Sequence, residues 1–273
     1  MIETLLPIVV LLFGLVLQVG LRRVLPLCGA NVSPVAARLV FAAELLVAFL
    51  VAGAASASGA DAEPTTRFGL ALVFTACGLV AARIVAAAGL RAMALGDLAA
   101  GLRVANLAAA LVIAGHVLAT GWVAAAVFVG NALVDLRVSV LFFVIGQLSL
   151  HLLVWLFRLV TAYDDRQAID DGNVAAATAQ AGLSLAVGML VAHAAGGEFL
   201  GLGASLRAYG LALVEALALL VVRQFVLQTL VFGKRPRLAG GFLDERVAAH
   251  DVGAGAIEAA AYVGAAWWVA AVL

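Results

Sequence analysis

Several ionisable and amide side chains lie inside long apolar runs, and most of them fall in the second half of the chain. Glu215, Arg223 and Glu258 are charged, and Gln180 carries an amide. Placing a charged group in hydrocarbon costs ~3 kcal/mol on insertion scales, so each group needs a partner or a hydrated cavity. These side chains therefore either join helices to one another or line a path for a small cation.

Two polar stripes have the spacing of a single helical face. The first runs through the sixth predicted helix and consists of Asn173, Gln180, Ser184 and Gly188. The second runs through the eighth and consists of Asp251, Gly255, Glu258 and Tyr262. The seventh helix also carries polar residues, which would not share one α-helical face: Glu215, Arg223, Gln224 and Gln228. The first half of the chain is poorer, with Gln18, Glu44, Arg83, Asn106 and His116, so a site would be asymmetric.

Depth in the membrane predicts one ion pair. Arg223 lies eight residues before the predicted end of the seventh helix, and Glu258 lies eight residues after the predicted start of the eighth. At 1.5 Å per residue, both are roughly 12 Å from the same membrane face. Opposite charges at one level on neighbouring helices should pair. In the first half Arg83 has no such glutamate on the next helix, and we expect it to turn to Glu44 or to the interface.

Three residues that begin apolar helices at one membrane face are expected to be helix caps: Asp97, Asn173 and Asp251. A side-chain oxygen at this position accepts hydrogen bonds from free backbone N–H groups, which is worth about 1 kcal/mol. The alternative is that these side chains belong to a polar cavity or an ion path. Asp97, Asn173 and Asp251 are therefore candidates for both roles.

The chain contains no recognisable pattern of catalytic or metal-binding residues. The Walker, Gly-x-Ser-x-Gly, His-Glu-x-x-His and Cys-x-x-Cys motifs are absent from the sequence. The histidines fall on four different helices without ligand spacing: His116, His151, His193 and His250. We therefore expect no enzymatic activity, no cofactor and no metal site.

Composition places these residues in a membrane protein. Apolar residues make up 66% of the chain, the mean hydropathy is +1.16 and 12% of residues are charged, whereas soluble domains have about 25%. Apolar blocks of about 20 residues can cross a bilayer. They predict an all-α fold with eight transmembrane helices, near 4–24, 34–56, 67–89, 99–121, 137–160, 174–195, 207–231 and 250–271. The stretch Trp122–Asp135 is too short for a further span and is expected to be interfacial or an extension of the fifth helix.

The basic residues indicate an orientation. Of the 16 arginine and lysine residues, 13 lie nearest the face shared by the odd-numbered connections. The positive-inside rule makes that face cytoplasmic and both termini periplasmic. The first apolar block has no basic start and precedes Arg22 and Arg23, so it is predicted to be an uncleaved span. The zero net charge gives no indication of a nucleic-acid partner.

Short sequence marks recur at a nearly constant offset. The segment Gly69–Val73 has the same five residues as Gly210–Val214, and each precedes an arginine within an apolar run. Asn-Val at Asn31 returns at Asn173, and an Asp-x-x-x-Gly pattern at Asp97 returns at Asp251. The marks predict two parallel four-helix repeats, residues 1–122 and 137–273, joined by an interfacial connector at 123–136.

One segment of the second repeat resembles a known family. Its sequence is Arg166-Gln-Ala-Ile-Asp-Asp-Gly-Asn173-Val-Ala-Ala-Ala, followed by Gly182 and Gly188 in an apolar helix. This resembles the second-helix signature of the YjfL family, bacterial inner-membrane proteins with a four-helix domain of unknown function. The segments Asp97–Gly101 and Asp251–Gly255 resemble the Asn-x-Ala-Ala-Gly pattern that opens the fourth helix of that family, with aspartate in place of asparagine.

The resemblance implies a bacterial inner-membrane location and a link with PspA-like membrane-stress proteins. We therefore expect a non-enzymatic component of a membrane-stress or envelope system. Its partners would be the lipid bilayer and either a cytosolic membrane-stress protein or a second copy of the chain. The alternative is a small-ion or small-cation channel or transporter that uses the polar residues of the second repeat.

Overall fold

The computed structural model describes residues 2–27, 33–92, 106–197, 199–237 and 239–272, and over these ranges the regular structure is entirely helical. The chain is a multi-pass membrane protein, because seven of its helices are long and apolar enough to cross a bilayer. The long helices are α1 (Ile2–Val24), α2 (Pro34–Ala55), α3 (Pro64–Ala92), α4 (Leu107–Val127), α5 (Leu136–Arg158), α7 (Val174–Ala195) and α11 (Val252–Val272). The shorter ones are α6 (Asp165–Asp170), α8 (Leu202–Glu215), α9 (Ala218–Val221) and α10 (Phe242–Ala248).

Four helices, α2, α4, α7 and α11, form a central row in which each packs closely on the next. The contacts between α4 and α7 join Gly115 to Ala181 and Ala119 to Gly188, so the two helices run in the same direction. We call the face at which this row begins the cap face, and its residues include Asn106, Asn173 and Asp251. The remaining spanning helices pack around the row, with α1 and α3 against α2 and with α5 against α7.

Small residues set the spacing within the row. A Cβ added at Gly182 would lie 2.4 Å from the Cβ of Ala259, and one added at Gly255 would lie 2.3 Å from the carbonyl oxygen of Ala175. Membrane helices associate through such close backbone approach, because burial between helices gains little where the solvent is already lipid. The predicted polar stripes on these helices are thus interleaved with the contacts that hold the row together.

The fourth helix does not begin where the sequence predicted. It spans Leu107–Val127 instead of 99–121, and its N-cap is Asn106, whose side chain accepts from the N–H of Ala109 at 3.2 Å. Asp97, the expected cap, lies outside the described residues. Helix α4 includes Trp122–Val127, so it overlaps the first part of the predicted connector at 123–136.

The second part of that stretch turns back toward α5. Residues Leu133–Asp135 form a 3-10 turn, and the carboxylate of Asp135 accepts from the backbone N–H groups of Asn131 and Ala132. Those two bonds close the turn between α4 and α5 without an interfacial helix. The stretch Trp122–Asp135 is therefore divided between the end of α4 and the approach to α5.

The seventh predicted helix, 207–231, is interrupted. It consists of α8, α9 and a π-helical segment at Val222–Val231, which we call the π segment. Hydrogen bonding from i to i+5 brings residues four and five positions apart onto one face. Arg223, Gln224, Leu227 and Gln228 are consequently all buried on the same side. Three of the four polar residues that were predicted not to share a face, Arg223, Gln224 and Gln228, do share one, because the prediction assumed the α-helical period throughout. The side chain of the fourth, Glu215, lies outside the described residues.

Two short helices at the cap face introduce long helices in the same way. Helix α6 leads through Gly172 (φ 81°) into α7, and α10 leads through His250 (φ 63°) into α11. A left-handed residue ends the short helix, and the next residue caps the long one. Glycine adopts this conformation without steric cost, whereas for His250 it is uncommon.

Candidate functional site

A buried cluster at Arg223 joins the π segment to α11 and α10. The guanidinium Nε donates to Oε1 of Glu258 at 2.5 Å, and its NH2 group binds the carboxylate of Asp244. The Tyr262 hydroxyl donates to the same Glu258 oxygen at 3.2 Å. The predicted pair of Arg223 with Glu258 is confirmed. The two residues lie at the same depth on neighbouring antiparallel spans, so their charges can meet.

The sequence did not predict the second carboxylate, Asp244. It belongs to α10, and its other oxygen accepts from the backbone N–H of Ala162 at 2.8 Å. Arg223, Asp244 and Glu258 are each at most 2% exposed, so the cluster holds one guanidinium and two carboxylates away from solvent. One Glu258 oxygen, Oε2, and one Arg223 nitrogen, NH1, have no hydrogen-bond partner.

Two glutamines extend the cluster toward the cap face. The Gln228 amide nitrogen donates to Oε1 of Gln224 at 2.5 Å and to the carbonyl of Gly240 at 3.1 Å. The next residue, Gly241, has a φ of 118°, and a Cβ there would lie 2.1 Å from Gln228 Oε1. The loop before α10 thus needs glycine at this position, both for its backbone conformation and for its contact with the π segment.

A cavity of about 260 Å³ opens on the cap face above this cluster. Its floor includes the buried Asp244, and its walls include Tyr163, Arg237 and Glu245. The backbone of Gly240 closes one side, held by a bond from its N–H to the carbonyl of Val160 at 2.9 Å. The cavity therefore has charged groups of both signs on its lining and a buried ion pair beneath it.

Ionisable groups beside the cavity have shifted pKa values. Burial raises the pKa of the Asp165 carboxyl above its usual value, although Arg158 and Thr161 bind its charged form. Burial also raises the pKa of the Tyr163 phenol, and the charge of Asp165 adds to that shift. Both groups therefore favour their neutral forms more than they would in water.

The first half of the chain has its own buried pair. Arg83 on α3 donates from NH1 to Oε1 of Glu44 on α2 at 2.5 Å, and from Nε to the carbonyl of Leu25 at 2.7 Å. Arg22 adds a second positive charge 3.7 Å from the other Glu44 oxygen. The expectation that Arg83 turns to Glu44 is confirmed. Here two guanidinium groups surround one carboxylate, which is the reverse of the charge ratio at Arg223.

Predicted cap residues form a hydrogen-bonded row along the cap face. Asn173 accepts from the N–H of Ala176 at 3.1 Å, and Asp251 accepts from that of Ala254 at 3.1 Å. The Asn173 amide also donates at 2.9 Å to the carbonyl of Val247, four residues before Asp251. Capping is confirmed for both residues, and the cap of α7 is bonded to the segment that leads into α11.

Asn106 repeats this arrangement one helix away. Its side chain caps α4 and donates at 2.7 Å to the carbonyl of Ile169, four residues before Asn173. Asp251 ends the row and is held by Arg246, which donates from Nε at 2.8 Å. The hydrogen bond from Ala254 N–H lowers the Asp251 pKa, and the bond from Arg246 lowers it further.

A second group of buried polar residues lies on α4, α5 and α7. Thr120 on α4 donates to Oε1 of Gln147 on α5 at 3.3 Å. The amide nitrogens of Gln147 and Gln180 and the hydroxyl of Ser184 are buried without a hydrogen-bond partner. Gly146 of α5 lies against Val123 of α4 and Val191 of α7, so the three helices meet beside Gln147. Gln180 and Ser184 are buried on α7, roughly 16 and 10 Å along the helix from Val191.

The predicted site residues thus fall into separate places. Arg223 and Glu258 form one cluster, and Glu44 and Arg83 form another. Asn173 and Asp251 cap helices at the cap face, and Gln180 is buried on α7 without a hydrogen-bond partner for its amide nitrogen. Asp97 and the side chain of Glu215 lie outside the described residues. Sequence reasoning missed Asp244 and the meeting of His116 with His151, because no linear spacing connects them with their partners.

Comparison with known proteins returns one family. A family model described as Domain of Unknown Function (DUF350) matches residues 131–273, which is the half of the chain from α5 to α11 together with the turn before it. No curated protein and no solved structure matches the chain.

Proposed function

The chain belongs to the DUF350 family, and from this premise we propose that it is a non-enzymatic component of a membrane-stress or envelope system in a bacterial inner membrane. It acts by binding a partner, and it does not move a substrate through the bundle. The partner is a cytosolic membrane-stress protein or a second copy of the chain. The YjfL-like segment Arg166–Asn173 contributes to α6 and the cap of α7. Its resemblance supports the proposed inner-membrane location and the proposed role in a membrane-stress or envelope system.

The observation that carries the proposal is that two buried carboxylates are each paired with an arginine. Glu258 is 2% exposed and bound by Arg223, and Glu44 is 2% exposed and bound by Arg83. A transport site needs carboxylates that exchange ligands with water, whereas each of these carboxylates is bound to an arginine within the bundle. Their geometry is that of interhelical connections.

The cap face is the surface through which a partner would bind. It carries α6, α10 and the 260 Å³ cavity, and beside them the exposed basic residues Lys234, Arg235 and Arg237. Such a basic segment attracts acidic partners and anionic headgroups. Asn106 donates to the carbonyl of Ile169 and Asn173 to that of Val247, so hydrogen bonds connect the starts of α4, α7 and α11 across this face.

The proposed architecture has eight spans in two parallel repeats, with both termini in the periplasm. The interrupted segment α8–α9–π supplies the eighth span, and the packing of α2 on α4 has its counterpart in the packing of α7 on α11. Arg83 and Arg223 occupy corresponding spans, although one pairs with the second span and the other with the fourth.

Orientation is tested by labelling single cysteines with an impermeant thiol reagent in intact cells. In a variant lacking Cys28 and Cys77, cysteine at the exposed Ala60 should label from outside. Cysteine at Ala239, exposed in the loop before α10, should label only after lysis. Labelling of both positions from outside would overturn the proposed topology.

Partner binding is tested by photo-crosslinking in native membranes. A photoreactive residue replacing Glu245 on the cap face should give a discrete adduct containing a stress-system protein or a second copy. The same residue at Asp61, exposed on the opposite face, is the matched control and should give none. Equal adducts at the two positions, or none at either, would contradict a partner at the cap face.

Small-cation transport is the second candidate, and one observation favours it. The polar atoms of Gln147 on α5 and of Gln180 and Ser184 on α7 are buried without a partner, and unsatisfied groups of this kind are usually bonded to water or an ion. If these groups line a conducting path, Gln180→Leu should abolish cation flux into proteoliposomes while the protein remains folded.

A further inference from the structure

Two imidazoles meet inside the bundle. His116 of α4 and His151 of α5 have ring centroids 5.2 Å apart in an edge-to-face arrangement. The Nε2 atom of each ring is buried and has no hydrogen-bond partner. Two buried ring nitrogens without partners are costly for a structural role, because each loses its bond to water on folding.

The tautomer of His151 leaves its Nε2 lone pair available. Its Nδ1 lies 2.6 Å from the carbonyl oxygen of Gln147, one helical turn earlier. A carbonyl oxygen only accepts, so Nδ1 must carry the proton, and Nε2 of the neutral ring is then unprotonated. A backbone carbonyl that fixes the tautomer through the other ring nitrogen is the usual arrangement behind a metal-binding histidine.

The two Nε2 atoms converge on the space beside Gly89 of α3. A Cβ added at Gly89 would lie 2.3 Å from Nε2 of His151 and 2.7 Å from Nε2 of His116. The nitrogens are therefore at most 5.0 Å apart, the sum of those distances. A transition metal binds imidazole at about 2.0–2.1 Å, so one ion fits between the rings after a small rotation.

The number of ligands near the two histidines and the apolar surroundings determine which metal ion can bind. In the described part of the chain no third histidine, cysteine or carboxylate completes a metal-binding group with this pair. Zinc in proteins takes about three or four protein ligands, and a divalent ion would carry two uncompensated charges into hydrocarbon. Cu(I) carries one charge, is stable with few ligands and binds imidazole.

We propose that His116 and His151 bind one Cu(I) ion through their Nε2 atoms, with Gly89 providing the space that the ion occupies. The pair lies seven residues, or roughly 10 Å, from the cap-face end of α5. No sequence spacing indicates this site, because the two histidines are 35 residues apart on different helices.

The test measures copper bound to the purified full-length protein in detergent under reducing conditions. The wild type should bind about one Cu(I) per chain, and His116→Asn and His151→Asn should each lose it. His193→Asn, which changes a histidine on α7 away from the pair, is the control and should keep it. X-ray absorption of the loaded protein should show nitrogen ligands of the imidazole type and no sulfur ligand.

A second variant separates ion binding from the histidines themselves. Gly89→Ala should abolish copper binding although both imidazoles remain, because the new methyl group occupies the ion position. Gly69→Ala in the same helix, where an added Cβ meets nothing within 4 Å, should bind copper as the wild type does. Size-exclusion profiles must match for all variants. Copper retained in both histidine variants, or Zn(II) bound more tightly than Cu(I) at the same residues, would overturn the proposal.

Discussion

The charge ratio at Arg223 leads to an unusual order of mutational effects. The cluster holds one guanidinium between two buried carboxylates, Asp244 and Glu258. Arg223→Gln leaves both carboxylates without a counter-charge, and removing one partner of a buried pair typically costs about 3–5 kcal/mol. Glu258→Gln instead leaves a neutral pair of Arg223 with Asp244, and the new amide oxygen can still accept from Tyr262. We expect this substitution to cost ~1 kcal/mol or less.

The effects of substituting the two carboxylates on the free energy of unfolding should also be strongly non-additive. Asp244→Asn alone leaves Arg223 paired with Glu258, so it too should be mild. The double variant, Asp244→Asn with Glu258→Gln, leaves the guanidinium buried and alone, and it should be as unstable as Arg223→Gln. A coupling of this size is expected for residues that share one partner.

Stability is measured by reversible unfolding in mixed micelles, with tryptophan fluorescence as the probe. Arg137→Gln, which changes an exposed arginine at the start of α5, is the matched control and should be near neutral. The reasoning fails if Glu258→Gln destabilises as much as Arg223→Gln, or if the double variant is only the sum of two mild effects.

Three further predictions concern the cap face and the helix row. Asn173→Ala should cost about 1–2 kcal/mol in the same unfolding assay, because α7 loses its cap and the bond to the segment before α11; a loss below that of an exposed substitution would contradict the bonding. Gly255→Leu should disrupt the α7–α11 contact and yield aggregated protein by size exclusion, whereas Gly264→Leu, with open space around it, should not. Asp251 has a lowered pKa, so its contribution is present above its ordinary pKa of about 3.9 and is lost as pH falls below it; Asp251→Asn should therefore flatten the decline of stability below about pH 4, and an unchanged decline would count against this role.

Features that depend on depth and local chemistry could be predicted from the sequence. The apolar blocks predicted most spans within a few residues, and the level of Arg223 and Glu258 predicted their pairing. The capping roles of Asn173 and Asp251 followed from side-chain type at a helix start. These inferences need only helical rise, residue type and the cost of charge in lipid.

Features that depend on packing between distant segments could not be predicted. The start of α4 was misplaced because Asp97 and Asn106 are both acceptable caps, and tertiary bonds to the carbonyl of Ile169 favour Asn106. The π segment was missed because a polar pattern is ambiguous when the helical period itself changes. Asp244 and the meeting of His116 with His151 depend on which helices are neighbours, and the sequence carries no periodic signal for that.

The central claim, that the buried charges hold the bundle together and do not conduct, is tested most directly by ion flux in proteoliposomes. Purified protein reconstituted at known density should give K⁺, Na⁺ and H⁺ fluxes equal to those of protein-free liposomes, because Glu44 and Glu258 are each paired with an arginine. Glu258→Gln, which should remain folded, should give the same result. A cation flux above the protein-free level that Glu258→Gln abolishes would contradict this account.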